Sequence, residues 1–149
     1  MTGRETVTLN DGRKLSVPDC YIEAIACDAK NSEAYYNLGG TMTGSETVTL
    51  NDGRQLSQRD CFIEAIACDA TKSMADSNLG GTITGRETVT LNDGRQLSRH
   101  DCYIEAIACD AKYSEAYFCL GGTITGRETV ALKDGRIMSK EDVMTMVRC

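Results

Sequence analysis

The chain of 149 residues is acidic, with 16 Lys and Arg against 22 Asp and Glu and a net charge of −6. This size suits one domain, and the lack of a clustered basic face disfavours a nucleic-acid partner. No apolar run approaches the roughly 18 residues of a membrane helix and the polar start is unlike a signal peptide, so we expect no membrane partner and a cytoplasmic location by default, with an extracellular filament as the open alternative.

The sequence repeats with a period of 41 residues, as the recurrence of Gly-Gly-Thr at Gly39, Gly80 and Gly121 shows. Three repeats are followed by a truncated fourth: residues 3–43, 44–84, 85–125 and 126–149. A repeat of this size with few aromatic side chains cannot enclose a core alone. We therefore expect the repeats to pack on one another as a single repeat domain over residues 1–149.

Each repeat begins with a predicted β-hairpin, in which Val48 and Leu50 alternate with threonines before a turn and Leu56. A two-residue loop would place Leu56 opposite a threonine and mix the two faces. A three-residue loop instead pairs Val48 with Leu56. It also pairs Leu50 with Arg54, which keeps the apolar side chains on one face. We therefore predict this loop, with Gly53 in the left-handed conformation of a bulged type I turn.

The hairpin leads into a helix that we call the B helix of the repeat. Ser57, followed three residues later by Asp60, is typical of a capping box at a helix start. The helix then carries Phe62, Ala65 and Ile66 on one stripe. Two cysteines per B helix, seven residues apart, lie on or near this stripe: Cys20 and Cys27, Cys61 and Cys68, and Cys102 and Cys109.

This spacing places the two sulfur atoms of a pair about 10 Å apart along a helix, which is beyond the reach of a disulfide. It also lacks the short spacing that lets two thiolates bind one zinc ion, and His100 is the single imidazole. We therefore interpret the six cysteines as buried packing residues and expect no metal and no other cofactor. Cys119 and Cys149 lie outside the pattern, and each is a candidate for an intermolecular disulfide.

A second helix, which we call the A helix, is predicted to begin with Ser32 as its N-cap and to end near Gly39 and Gly40. The short loop before it suits antiparallel neighbours. Close helix packing accounts for the double glycine better than a phosphate loop does, because no Gly-Lys-Ser/Thr follows it.

The residues that could carry chemistry have simpler explanations. Turn formation accounts for the Asn-Asp-Gly-Arg segments, which lack the oxygen ligands of a calcium loop. We interpret Glu23, Glu64 and Glu105 as part of a solvated helix face rather than as catalytic acids. With no nucleophile beside a base, we expect no catalytic residues and no enzyme activity.

The junction between a B helix and the next A helix resembles the junction between consecutive tetratricopeptide repeats. The residues that carry the resemblance are Tyr21, Ala24, Ile25, Asp28, Ala34, Tyr35, Leu38 and Gly39. Two features depart from that family: Ala29 replaces the proline usual after the Asp, and the period exceeds the usual one of about 34 residues. The resemblance implies a mainly α fold with β-hairpins: an α-solenoid of tetratricopeptide-like helix pairs, each pair joined by a short β-hairpin.

In tetratricopeptide proteins the A helices line the concave binding face. The resemblance therefore implies a partner-binding surface at the outward A-helix positions, several of which differ between the repeats. The candidate residues are Glu33, Tyr36, Asn37, Met74, Ser77, Asn78, Glu115, Phe118 and Cys119. The alternative is that these side chains are simply exposed and vary freely.

The first and last B helices suggest self-association. The first has no A helix before it in the sequence, and the last carries additional apolar residues. We expect a head-to-tail contact between chains that covers both helices and becomes a filament if it does not close on itself. The candidate residues are Tyr21, Ile25, Val143, Met144, Met146 and Val147.

The sequence thus predicts a non-enzymatic repeat scaffold for protein–protein interaction, with self-association into a homo-oligomer or filament. Two alternatives stay open. One is a monomeric adaptor module that binds peptides, and the other is a fragment of a longer repeat array.

Overall fold

The computed structural model describes residues 6–43, 45–69 and 71–147. The predicted repeat starts at positions 3 and 44, and the predicted role of Cys149, lie outside the described residues. The chain forms two compact units, Met1–Asp69 and Ala70–Cys149, which we call the N-terminal and the C-terminal unit.

The described residues form seven helices and four two-stranded hairpins, which confirms the mainly helical fold with a hairpin before each B helix. The B helices are α1 (Val17–Cys27), α3 (Gln58–Cys68), α5 (Arg99–Cys109) and α7 (Lys140–Val147). The A helices are α2 (Ser32–Gly40), α4 (Ser73–Thr82) and α6 (Ser114–Thr123). The hairpins are β1 (Thr6–Thr8) with β2 (Lys14–Ser16), β3 (Thr47–Thr49) with β4 (Gln55–Ser57), β5 (Thr88–Thr90) with β6 (Gln96–Ser98), and β7 (Thr129–Ala131) with β8 (Ile137–Ser139).

The hairpins have the predicted register and the predicted three-residue loop. Val48 pairs with Leu56 across β3 and β4. The Leu50 N–H donates to the Arg54 carbonyl oxygen over 2.8 Å. Gly53 has a φ of +92°, a conformation that a residue with a Cβ adopts only under strain. The apolar residues of the hairpin therefore share one face, as the register argument predicts.

A capping box joins each hairpin directly to its B helix. In the second repeat, the Ser57 hydroxyl accepts the Asp60 N–H over 3.1 Å, and the Asp60 carboxylate accepts the Ser57 N–H over 3.0 Å. Ser57 is also the last residue of β4. The strand therefore becomes a helix without an intervening loop, which fixes the direction in which the helix leaves the hairpin.

The start of the A helix differs from the prediction by one residue. The N-cap of α2 is Asn31, whose side-chain oxygen accepts the Ala34 N–H over 3.1 Å. Ser32 is the first helical residue, and its hydroxyl donates to the Ala65 carbonyl oxygen of α3 over 2.8 Å. The prediction of Ser32 as the cap is wrong because this hydroxyl bonds the neighbouring helix instead.

Within each unit, an A helix packs most extensively on the next B helix in the sequence, the one that follows the intervening hairpin. In the N-terminal unit α2 lies against α3 and also contacts α1. In the C-terminal unit α4 lies against α5, α5 contacts α6, and α6 lies against α7. The core of this unit contains Tyr103, Ile107, Tyr117, Leu120 and Val143.

The first glycine of each Gly-Gly pair allows the A helix to approach its B helix closely. A Cβ atom built at Gly39 would lie 2.8 Å from Cε1 of Phe62, and one at Gly80 would lie 2.8 Å from Cε1 of Tyr103. Real Cβ atoms essentially never come so close to another heavy atom. A Cβ at Gly81, by contrast, would meet no atom within 4 Å. A side chain at Gly80 would therefore clash with Tyr103, whereas a side chain at Gly81 has room.

Replacing Gly80 by Val should lower the free energy of unfolding by about 1–3 kcal/mol, because the added side chain overpacks the α4–α5 contact. The matched variant Gly81→Val should stay within about 0.5 kcal/mol of the wild type. Urea unfolding followed by circular dichroism compares the two. Equal destabilisation by both variants would contradict the close-approach explanation.

Candidate protein-binding surfaces

The predicted binding residues of the N-terminal unit lie on α2. Glu33, Tyr36 and Asn37 are three and four residues apart, so they share one side of the helix. Glu33 is exposed, and the other two are half-buried. The Tyr36 ring lies 6.0 Å from the ring of Phe62 in α3, so part of its surface is already used within the unit.

The corresponding residues of the C-terminal unit lie on α4 and α6, which contact each other. The most exposed large apolar side chain among them is Phe118, at 58% exposed. Met74 and Glu115 are also exposed, and the two half-buried members of the set are Asn78 and Cys119. Ser77 is buried, so the prediction that it belongs to an exposed face is wrong. Its short side chain does not reach the surface that Phe118 reaches from the equivalent position.

The residues predicted for self-association fall into two groups. Ile25 is buried in the N-terminal unit, and Val143 is buried in the core that α6 and α7 share. The prediction that these two side chains are open for association is therefore wrong, since helix packing within each unit already uses them. The other four keep accessible surface and are half-buried: Tyr21, Met144, Met146 and Val147.

The six paired cysteines are not equally buried. Cys61 and Cys102 are completely buried, and burial raises the pKa of the Cys61 thiol to about 12. The second cysteine of each pair is the last residue of its B helix, and none of these three is fully buried. Cys27 is exposed, so the prediction that all six are buried is wrong. Cys119 is half-buried against the core of the C-terminal unit, and this burial raises its thiol pKa.

Ion pairs between the hairpins and the B helices were not predicted. In the first three repeats the arginine that follows the turn lies near a glutamate of the B helix: Arg13 and Glu23 at 3.5 Å, Arg54 and Glu64 at 3.6 Å, and Arg95 and Glu105 at 3.4 Å. The interpretation of these glutamates as a solvated face is thus incomplete. The arginine and the glutamate recur together in the first three repeats, and this joint recurrence is the sequence pattern that could have predicted the ion pairs. Because the arginines stay partly exposed, each pair stabilises only modestly.

Two of these glutamates also contact the hairpin of the following repeat. In the N-terminal unit the Asn51 side-chain amide donates to the Glu23 carboxylate over 3.0 Å. In the C-terminal unit the Lys133 ammonium pairs with Glu105. Each of these contacts joins a B helix to the next hairpin, so the hairpin side of the fold links successive repeats within a unit.

Two A helices each place a buried tyrosine against the arginine of the following hairpin. The Arg54 guanidinium donates to the Tyr35 hydroxyl over 2.8 Å, and the Arg136 guanidinium donates to the Tyr117 hydroxyl over 2.9 Å. At the equivalent position, α4 carries Asp76. This is one of the positions at which the repeats differ, and it replaces a neutral donor and acceptor with an acid.

Asp76 is only 3% exposed, and it accepts a hydrogen bond from the Cys109 thiol over 3.6 Å. Burial raises the pKa of this carboxyl to about 7, and the nearby Glu105 charge adds to the increase. The Cys109 hydrogen bond and the charges of Arg95 and Lys133 lower the pKa but do not offset burial. The C-terminal unit therefore contains a buried acid that titrates near neutral pH.

Within residues 6–43, 45–69 and 71–147, no three His, Cys, Asp or Glu side chains come together as a metal site. In the same described part of the chain, no helix combines the length and the apolar character needed to cross a membrane. The expected absence of cofactors and of a membrane partner stays a prediction.

No known family model matches the chain. No curated protein matches it either. The function is therefore inferred from the surfaces of the chain itself.

The unfolding free energy should carry a contribution from Asp76 that decreases as pH rises from about 4 to about 7. The pKa is about 7 in the folded state and 3.8 in the reference state, so the folded protein retains this proton in that window while the unfolded chain has released it. Asp76→Tyr, which restores a partner for Arg95, should remove this decrease and raise stability at pH 8. Asp76→Asn should also remove the decrease, but without the hydrogen bond to Arg95 that the tyrosine adds.

Urea unfolding of the wild type and both variants between about pH 4 and about pH 8 measures the difference. If all three proteins show the same pH dependence, Asp76 does not titrate in this window.

Proposed function

We propose that the protein is a non-enzymatic scaffold of tetratricopeptide-like repeats that binds peptide segments of other proteins on the outward side of its A helices. One observation carries the proposal: Phe118, on α6, is 58% exposed at a position that differs between repeats. A phenylalanine exposed to this extent has the size and chemistry of a binding anchor.

The helix packing supports the repeat arrangement. Each A helix lies against the next B helix in the sequence. Within the C-terminal unit, α4 also contacts α6. Neighbouring A helices are what a solenoid of the tetratricopeptide type requires. The hairpin, which that family lacks, packs at the start of its B helix. It therefore leaves the pairing of the two helices intact, and an α-solenoid with inserted hairpins is the arrangement we propose.

The charges near the anchor suggest the chemistry of the ligand. Glu115 precedes Phe118 by one helical turn and is exposed, and Glu33 occupies the corresponding position on α2. The chain as a whole carries a net charge of −6. We therefore expect a peptide with a large apolar residue that contacts Phe118 and with basic residues beside it.

Selection of a random 12-residue phage-display library on the full chain tests this proposal. We expect enriched basic peptides with an apolar residue, and Phe118→Ser should weaken their binding about ten-fold or more, as loss of a hot-spot anchor does. The matched variant Ile137→Ser removes an apolar side chain that is 70% exposed in a hairpin and should leave binding unchanged. No enrichment, or equal loss in both variants, would contradict the proposal.

Self-association is the second candidate function, because Met146 and Val147 on α7 keep accessible apolar surface beside the core of the C-terminal unit. Sedimentation velocity at rising concentration separates the two functions. Oligomers that disappear in Met146→Glu would favour self-association, whereas a monomer that binds the selected peptides would favour the adaptor.

A further inference from the structure

The helices α1 and α5, each with its C-cap residue, share the ten-residue sequence Asp-Cys-Tyr-Ile-Glu-Ala-Ile-Ala-Cys-Asp at positions 19–28 and 101–110. Their burial nevertheless differs. In α5 the exposed fractions of Cys102, Tyr103 and Ala106 are 0%, 2% and 0%. The equivalent residues of α1 are only half-buried: Cys20, Tyr21 and Ala24. Because the sequence is identical, the neighbours of the two helices must cause the difference.

The neighbour that buries this face of α5 is the A helix α4. Its Gly80 lies directly over the Cys-Tyr pair, where an added Cβ would be 2.8 Å from Tyr103 Cε1 and 3.2 Å from Cys102 Cβ. In the N-terminal unit Gly39 of α2 lies over Cys61 and Phe62 of α3 in the same way. The chain thus contains two separate examples of one interface, in which an A-helix glycine contacts a cysteine and an aromatic ring on a B helix.

The hairpin before α1 shows the same difference. Val7 in β1 is 53% exposed, whereas its counterpart Val89 in β5 is 5% exposed. In the fourth repeat the equivalent Val130 packs in one cluster with Leu120 and Ile124, at the end of the preceding A helix. The A helix and the residue just after it therefore account for the burial of this hairpin face too.

One side of α1 is already used, because α2 packs on α1. In residues 6–43 and 45–69, however, no second A helix lies over Cys20 and Tyr21 in the way that α2 lies over α3. Five apolar residues of β1, β2 and α1 keep accessible surface although their counterparts in the third repeat are buried, and we call them the α1 face: Val7, Leu15, Cys20, Tyr21 and Ala24.

We propose that the α1 face is a docking site for an A-type helix. The partner is a helix of about ten residues with Ala, Leu and Gly at the positions of Ala75, Leu79 and Gly80, followed by an apolar residue such as Ile83. Glycine permits close approach to Cys20 and Tyr21. A folded second copy of this chain does not fit, because its described A helices already lie against their own B helices. The site is separate from the A-helix surface proposed above and does not rest on it.

A peptide of residues 72–84 is the probe, since α4 already covers the identical sequence in α5. An isolated helix of this length is marginal in water, so a staple joins positions 74 and 78 on its more exposed side. The peptide is added to the full chain, iodoacetamide is supplied, and mass spectrometry follows each cysteine. At saturation Cys20 should react about five-fold more slowly or slower still, because only accessible thiolates react. Cys119, in the other unit, should keep its rate.

Two matched pairs of variants make the test specific. A peptide with Gly80→Val should not protect Cys20, whereas a peptide with Gly81→Val should protect it as well as the parent does. In the chain, Ala24→Glu should abolish protection, and Ala26→Glu, at an exposed position on another side of α1, should preserve it. The proposal is overturned if the parent peptide leaves the Cys20 rate unchanged, or if the two glycine variants protect equally.

Discussion

The contact of one A-helix glycine with the cysteine and aromatic ring of a B helix is the interaction on which the rest of the fold depends. A Cβ at Gly39 or Gly80 would lie 2.8 Å from an aromatic carbon, so only glycine lets the two backbones come this close. That approach buries the rest of the A-helix face, including Leu38 and Leu79, which have no exposed surface. The contact sets the distance between the paired helices and so allows their apolar side chains to pack.

The hairpin limits how the helices can be arranged around that contact. Its last strand residue caps the B helix, and in the first three repeats the arginine after its turn reaches a glutamate of the same B helix. Arg54 also reaches Tyr35 on the A helix before it. One side chain of the hairpin therefore contacts both an A helix and a B helix. Asp76 breaks this pattern in the C-terminal unit. It leaves a buried acid where the other A helices have a neutral hydroxyl, so the repeats have a common fold but different electrostatics.

Much of the fold could be predicted from the sequence, because its determinants are local and repeat. The register of Val48 and Leu56 follows from alternation, and the conformation of Gly53 follows from the loop length. Features that depend on neighbours could not be predicted. Ser32 bonds the adjacent helix instead of capping its own, Ser77 is too short to reach the surface, and Cys27, the last residue of α1, is exposed. The identical ten-residue segments of α1 and α5 show the reason, since one sequence has two burial states according to what packs on it.

Amide hydrogen exchange in these two segments measures the central claim most directly. The claim is that a B helix is stabilised by the A helix lying over its cysteine and aromatic ring, more than by its own sequence. The account predicts that the amides of residues 103–109 in α5 exchange about ten-fold or more slowly than those of residues 21–27 in α1, because local opening of α5 must break the contact with α4. Equal protection of the two identical segments would contradict the account.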